Sequence, residues 1–345
     1  MNDKDLGNMK SIELFYRLRE LLDRNPRVIN ELPLDDMKAC IFAEVYGLRQ
    51  VYYHNHLDRI EKKIISIIDN LDECKKDGDY EYALDLLDTL IDLFDLLPDS
   101  VLMQDLVEQA NFDRAYLRHH ELGTTLVIGD SHVNFFSGNA NLSFIPIKDG
   151  INTCIQNNNY PITVLHLGPC LAFKSNQYGS SNNFLEKMDY LVENFIQPKS
   201  KIVFSLGEID IRAHVFKETL RQNVDYKQIV DGILENYIIF LNAMKNKQFE
   251  VFAWGPIATQ NDGLPIDKNN PRFGTVKQRN IATEYFNNAL KEKCGKNDIG
   301  FFSIYEDMIT DDYLTKKEYI SDDGFHLGQY AYSKIIGLME NIGAI

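Results

Sequence analysis

At 345 residues, with 44% hydrophobic content, the chain is long enough for one large or two moderate domains and can bury a full core. Its formal net charge is −15, and 25 of the 51 acidic residues but only 15 of the 36 basic ones fall in positions 1–120, so two thirds of the negative excess lies there. A surface of that sign argues against nucleic acid and anionic membrane as partners for this part of the chain.

Five cysteines (Cys40, Cys74, Cys154, Cys170 and Cys294) are odd in number, scattered and without a Cys-x-x-Cys pair, which reads as free thiols in a reducing compartment. The stretch MNDKDLGNMKSIELF has no apolar core of signal-peptide length, and no later run is long enough to span a bilayer. The expectation is a cytoplasmic protein with no membrane insertion.

Positions 1–120 read as a helical domain. Ile12, Phe15, Leu18, Leu21 and Leu22 recur at helical spacing behind Ser11, a second helical region runs from about Leu34 toward Ile68, and two more cover Tyr80–Leu97 and Ser100–Arg118, separated by Leu97-Pro98-Asp99-Ser100. Lys76-Asp77-Gly78-Asp79-Tyr80, followed by Ala83 and Leu84, is similar to the helix junction of a tetratricopeptide repeat, but no second copy follows at the expected period, so a helical hairpin is expected. His54, His56, His119 and His120 lack cysteine or carboxylate at ligand spacing, so neither a metal nor a cofactor site is expected. This module is assigned a positioning role, or homo-oligomer or protein contacts.

From position 121 the pattern changes to alternating strands and helices. Thr125–Gly129, with Leu126, Val127 and Ile128 at its centre, reads as a buried strand that runs into Gly129-Asp130-Ser131-His132. Leu142–Ile147 is a candidate short strand, and Ile162–Leu167 a stronger one ending at Gly168-Pro169. A helix is expected over Phe184–Ile196. Lys201–Leu206 is the next strand, opening into Gly207-Glu208-Ile209-Asp210-Ile211-Arg212-Ala213-His214, where four ionisable side chains within seven residues form either a site or an ion-pair cluster. A helix over Tyr226–Asn246, a strand over Phe249–Trp254, a long polar loop over Ala258–Gly274, a helix over Val276–Lys293 and a strand over Ile299–Ile304 follow. The last helix, Gly328–Asn341, comes after Asp322-Asp323-Gly324-Phe325-His326, in which a carboxylate stands three residues before an imidazole. The alternation implies an α/β domain over 121–345.

These blocks carry a resemblance. The chain resembles the SGNH, or GDSL-type, hydrolases, whose members place a nucleophile in a Gly-Asp-Ser block, a glycine N–H of the oxyanion hole in a second block, a Gly-x-Asn-Asp third block, and an Asp-x-x-His block completing a triad. Gly129-Asp130-Ser131, Leu167-Gly168-Pro169, Gly207-Glu208-Ile209-Asp210 and Asp323-Gly324-Phe325-His326 match in that order, with Ile209 where the family has its oxyanion asparagine. The resemblance implies a doubly wound, flavodoxin-like, parallel five-stranded sheet and a serine esterase using Ser131, His326 and Asp323, with the N–H groups of Ser131 and Gly168 in the oxyanion hole. Arg212 is the candidate replacement for the missing donor, and Asp130, His132, Glu208, Asp210, Arg212 and His214 are candidate substrate-binding residues.

The polar stretches Lys174–Asn183 and Ala258–Gly274 favour a short acyl group on a polar carrier, most simply an O-acetyl sugar. By similarity to members associated with bacterial surface-glycan assembly, an O-acyltransferase acting on such a glycan is the alternative. A non-catalytic glycan-binding or scaffold protein is a third reading, disfavoured by the retention of Ser131, Asp323 and His326.

Overall fold

A computed structural model describes residues 101–139, 144–148, 150–154, 161–259, 271–321 and 323–345, with three isolated positions before 101. The chain divides into two units, Met1–Arg114 and Ala115–Ile345. The helices expected before position 98, and with them His54 and His56, lie outside the described residues.

The strands are β1 (Thr125–Gly129), β2 (Phe144–Lys148), β3 (Ile151–Cys154), β4 (Ile162–His166), β5 (Lys201–Ser205), β6 (Glu250–Trp254) and β7 (Gly300–Phe302). The helices are α1 (Val101–Glu121), α2 (Phe184–Asn194), α3 (Phe216–Gln222), α4 (Tyr226–Asn246), α5 (Val276–Lys296), α6 (Tyr305–Met308) and α7 (Tyr332–Asn341). Among the described residues no helix is long and apolar enough to cross a membrane.

The sheet order is β2-β3-β4-β1-β5-β6-β7. The run β4-β1-β5-β6-β7 is parallel throughout, and numbering these five strands in chain order gives 2-1-3-4-5, the flavodoxin-like doubly wound order. The sheet goes beyond the expected five strands. β2 and β3 form an antiparallel hairpin that extends the β4 edge, so the complete sheet is mixed. Pro146 sits inside β2, a position open to proline because β2 is the edge strand and an N–H there has no ladder partner to lose. β3 is four residues, INTC, too short and too polar to register as an apolar run.

Why β1 is central follows from its residues. Successive side chains of a strand point to opposite faces, and Leu126, Val127 and Ile128 are all 0% exposed, so both faces of β1 are covered. On one face Val127 joins Val164, Val203, Trp254 and Phe302 beneath Ile335, Ile336 and Met339 of α7. On the other, Phe204 of β5 meets Phe240 of α4 edge to face at 4.9 Å, and Phe240 meets Phe184 of α2 at 5.2 Å. Each such buried aliphatic or aromatic side chain contributes about 1.5–3 kcal/mol. At its end β1 tolerates only glycine, since a Cβ on Gly129 would lie 2.1 Å from the Ser205 carbonyl oxygen.

Helix ends obey local rules. Thr275 and Gln278 form a reciprocal capping box at the start of α5, and the Asp225 carboxylate accepts from the Lys227 N–H at 2.8 Å to cap α4. In the last turn of α1 the two histidines are engaged within the protein. His119 Nδ1 donates to the Thr124 carbonyl at 2.9 Å, and His120 lies 2.5 Å from the Phe195 carbonyl and 2.6 Å from the Gln197 amide.

Burial lowers the pKa of His119 from 6.5 to about 4, against the pull of its bond to Thr124. Its neutral form is therefore favoured by folding. The stability this lends is fully present above pH 6.5 and is lost as pH falls toward 4, a change of up to about 3 kcal/mol. Denaturant midpoints measured from pH 7 to pH 4 should fall less steeply for His119→Gln, which keeps a donor for Thr124 and cannot titrate. Parallel slopes in the two proteins would refute this assignment.

Candidate active site

The site is assembled where β1, β4 and β5 end. Asp130 caps a short 3-10 turn, Ser131–Ser137, its carboxylate accepting from the His132 N–H at 3.0 Å, and Ser131 is the first residue of that turn. From the other end of the domain, the Asp323–His326 turn is closed by Gly324 at φ +78°, by the Gly324 N–H to the Ser321 carbonyl at 2.9 Å and by the Ser321 N–H to the His326 carbonyl at 2.9 Å. Behind it, the Gln329 side-chain amide donates to the carbonyls of Phe135 and Asn139 at 3.0 and 3.1 Å, and the Tyr332 hydroxyl to that of Phe136 at 3.3 Å. These three bonds stitch the C-terminal segment to the turn that carries Ser131. Gln329 and Tyr332 had no sequence signal beyond lying near the start of an amphipathic helix.

The result is a continuous line. His326 Nε2 stands 2.8 Å from Ser131 Oγ across 195 residues of sequence, and His326 Nδ1 stands 2.6 Å from Asp323 Oδ2. The second oxygen, Oδ1, accepts from the N–H groups of Phe325 and His326 at 2.8 and 3.0 Å and from the Ser321 hydroxyl at 2.5 Å. Burial opposes ionisation of Asp323, but the hydrogen bonds from His326, Ser321 and Phe325 outweigh it and hold the carboxyl well below the usual carboxylate range. Ser321, which the sequence did not single out, thus helps keep the carboxylate charged.

Gly168 has φ +91°, a backbone that L side chains rarely adopt. Its loop is held by the Leu167 N–H to the Gly129 carbonyl at 2.9 Å, and by Lys187 of α2, whose ammonium donates to the carbonyls of Leu167 and Gly150 at 2.7 and 3.0 Å. The Asn182 side chain donates to the Pro169 carbonyl. Neither the Ser131 nor the Gly168 N–H donates to another group among the described residues.

Of the four ionisable side chains after β5, Glu208 and Arg212 form an ion pair, the arrangement that was the alternative to a site. Arg212 Nε donates to Glu208 Oε1 at 2.8 Å, Arg212 Nη1 to the Pro271 carbonyl at 3.2 Å, and the Arg212 carbonyl accepts from the Phe273 N–H at 2.9 Å. The guanidinium expected to replace the third-block asparagine is therefore committed to a buried ion pair, and both partners are under 10% exposed. Glu208 Oε2 lies 3.3 Å from His132 Nε2, and the His132 ring lies 4.8 Å from that of His326, tilted by 49°. Burial would raise the Glu208 carboxyl, but Arg212 and His132 hold it well below its ordinary value. Burial would lower His132, but Glu208 and Asp130 raise it. Asp130, fully buried, is raised chiefly by that burial, with His132 pulling the other way.

Asp210 is 0% exposed and accepts from the N–H groups of Ala172 and Phe173 at 2.7 and 3.1 Å, so it ties the loop after Gly168 to the turn after β5. Burial pushes its carboxyl up to about 7, opposed by those two N–H groups. Its backbone begins a stretch of π-helix, Asp210–Val215, a wide turn that no periodicity in the sequence announced. His214, on the same turn, faces a cavity together with Asp210 and Phe173.

Removing one partner of a buried ion pair leaves the other uncompensated and costs about 3–5 kcal/mol. Arg212→Ala should lose stability of that order in chemical denaturation, and adding Glu208→Gln should restore part of it. A loss below about 1 kcal/mol in the single variant would mean that the pair is not structural.

Comparison with known proteins gives the following. No family model and no curated protein matches the chain. Solved structures that it is similar to include a GDSL-like lipase from Bacteroides thetaiotaomicron (12% identity, 72% of this chain and 92% of that one, TM-score 0.38). A lipase/acylhydrolase from Enterococcus faecalis is 12% identical over 63% of this chain and 94% of that one, with TM-score 0.33. An acetyl xylan esterase is 11% identical over 63% of this chain and 98% of that one, with TM-score 0.36.

Proposed function

We propose that the chain is a serine esterase of the SGNH type that hydrolyses a carboxylic ester through an acyl-enzyme. The observation that carries this reading is the hydrogen-bonded line from Ser131 Oγ through His326 to Asp323, at 2.8 and 2.6 Å. Ser131 Oγ attacks the ester carbonyl carbon while His326 Nε2 takes its proton, and Asp323 Oδ2 holds the Nδ1–H tautomer and stabilises the imidazolium that forms. The carbonyl oxygen gains negative charge in this step and is met by the N–H groups of Ser131 and Gly168. Collapse expels the alcohol, which leaves with the proton from His326. Water then repeats the sequence on the acyl-serine, releasing the carboxylic acid and restoring Ser131.

The side of the site after Gly168 favours a polar alcohol. Lys174–Asn183 reads KSNQYGSSNN, rich in hydroxyl and amide groups, which suits an acylated sugar better than a lipid alcohol. The substrate reading is accordingly a short-chain ester, most simply an O-acetyl group on a carbohydrate. With Ile209 in the third block and Arg212 paired to Glu208, only backbone donors are assigned to the oxyanion. Loss of one side-chain donor costs about 3–4 kcal/mol in other enzymes, so slow turnover is expected.

Turnover of an aryl acetate should fall by at least about a thousandfold in Ser131→Ala and in His326→Ala, and the double variant should be no worse than either, because triad members act as a unit. Retained turnover in Ser131→Ala would overturn the nucleophile assignment. The same assay run with added sugar hydroxyls as acceptors reads transfer against hydrolysis directly.

A further inference from the structure

A cavity of about 420 Å³ lies away from Ser131, under the wall formed by Leu171 and Phe173 and against Ile229 and Ile233 of α4. It falls within the size range of small-molecule sites. Its walls come from the segments that follow β4 and β5, the two neighbours of β1, and from α3 and α4. Leu171 is three residues from Gly168, so the wall is within about 10 Å of it along the chain. The cavity nonetheless contains neither Ser131 nor His326.

Two observations say that the space is built to be filled. Gly232 is the seventh residue of the 21-residue helix α4, inside the helix, where glycine costs about 1 kcal/mol relative to alanine. It lines the cavity, and a Cβ there would meet no atom within 4 Å. Phe173, which also lines the cavity, is 40% exposed, and its backbone is held in place by Asp210.

Charge among the lining residues selects the ligand. Arg221 is neutralised by Glu218, its Nε donating at 2.6 Å. His214 is lowered by burial, and Asp210 is raised to about 7 by burial and held by two N–H groups. Lys174 is different. Its ammonium donates to the neutral Gln177 amide at 2.8 Å and lies 5.4 Å from the Phe173 ring, with no carboxylate partner among the described residues. An apolar chamber lined by an ammonium that has no carboxylate partner among the described residues suits an alkyl chain ending in an anionic oxygen group.

We propose that this cavity binds a medium-chain fatty carboxylate, with the alkyl chain along Phe173, Ile229, Gly232 and Ile233 and the carboxylate at Lys174. Binding is separate from the ester chemistry and does not depend on Ser131 being a nucleophile.

The test titrates butyrate, hexanoate and octanoate into the full chain carrying Ser131→Ala, followed by calorimetry. Each added methylene buried should tighten binding about fourfold. Gly232→Leu, which projects a side chain into the open space, should weaken octanoate at least tenfold while its melting temperature stays at or above that of the parent. Lys174→Gln should weaken octanoate about tenfold and leave octanol unchanged, and it keeps the proposal testable if the Gly232 variant does not fold. Binding that is absent, independent of chain length, or unaffected by both substitutions overturns the proposal. A Gly232→Leu enzyme that loses turnover of an aryl octanoate more than of an aryl acetate makes the cavity part of the ester site and overturns the proposal, whereas equal effects on the two esters are the result expected of a separate site for a free carboxylate.

Discussion

A strand covered on both faces and paired on both edges is free only at its ends, and β1 is such a strand. Its side chains at 126–128 are fully buried, β4 and β5 flank it, and the Ser205 carbonyl crowds Gly129 so closely that no side chain fits there. The chain must leave the sheet at that point, and the first residues out are Asp130 and Ser131. The parallel neighbours end at the same level because they run the same way, which puts Gly168 after β4 and Glu208 after β5 beside the serine. Every group assigned to the chemistry, except the Asp323–His326 turn, takes its place from that one packing constraint.

The C-terminal turn reaches the site by different means. It hangs on side-chain to backbone bonds from Gln329 and Tyr332 to the turn after β1, and on α7 packing against the core under Trp254 and Phe302. Burying α7 therefore positions His326, so the folding free energy of the last helix and the alignment of the imidazole are coupled.

Much of this was legible in the residues. Uninterrupted apolar runs marked β1, β4, β5 and β6, and their alternation with helical patterns led to an α/β domain, while the doubly wound order came from the resemblance of the four blocks. The Asp-x-x-His spacing carried the turn, because a carboxylate three residues before a histidine can cap the backbone and reach the ring at once, as Asp323 does with its two oxygens. The hairpin β2–β3 was not legible in full, since β3 is short and polar, and neither was the π-helical turn at Asp210–Val215. The charges after β5 were ambiguous for a physical reason. Sequence spacing places Glu208 and Arg212 four apart on one helical turn, where pairing and ligand binding demand the same residue types. Burial decided it, and burial depends on Pro271 and Phe273 arriving from a distant loop.

Two aspartates flank the Ser131–His326 pair, and their surroundings push their carboxyls in opposite directions. Asp130 is buried, and its Oδ2 has no hydrogen-bond partner among the described residues; its carboxyl is raised. Asp323 receives three hydrogen bonds on one oxygen and the imidazole on the other, and is lowered. An acid that is to stabilise an imidazolium must stay ionised when the proton arrives, so on the proposed mechanism the saturated Asp323 fits that task and Asp130 does not. The same reasoning places Glu208. It too is ionised and buried, but its charge is balanced by Arg212 and shared with His132, so it holds a cation pair behind the serine and has no free charge to offer His326. Ile209, between these groups, is half-buried, and the polar side chains on either side of it are turned inward to hold the protein together.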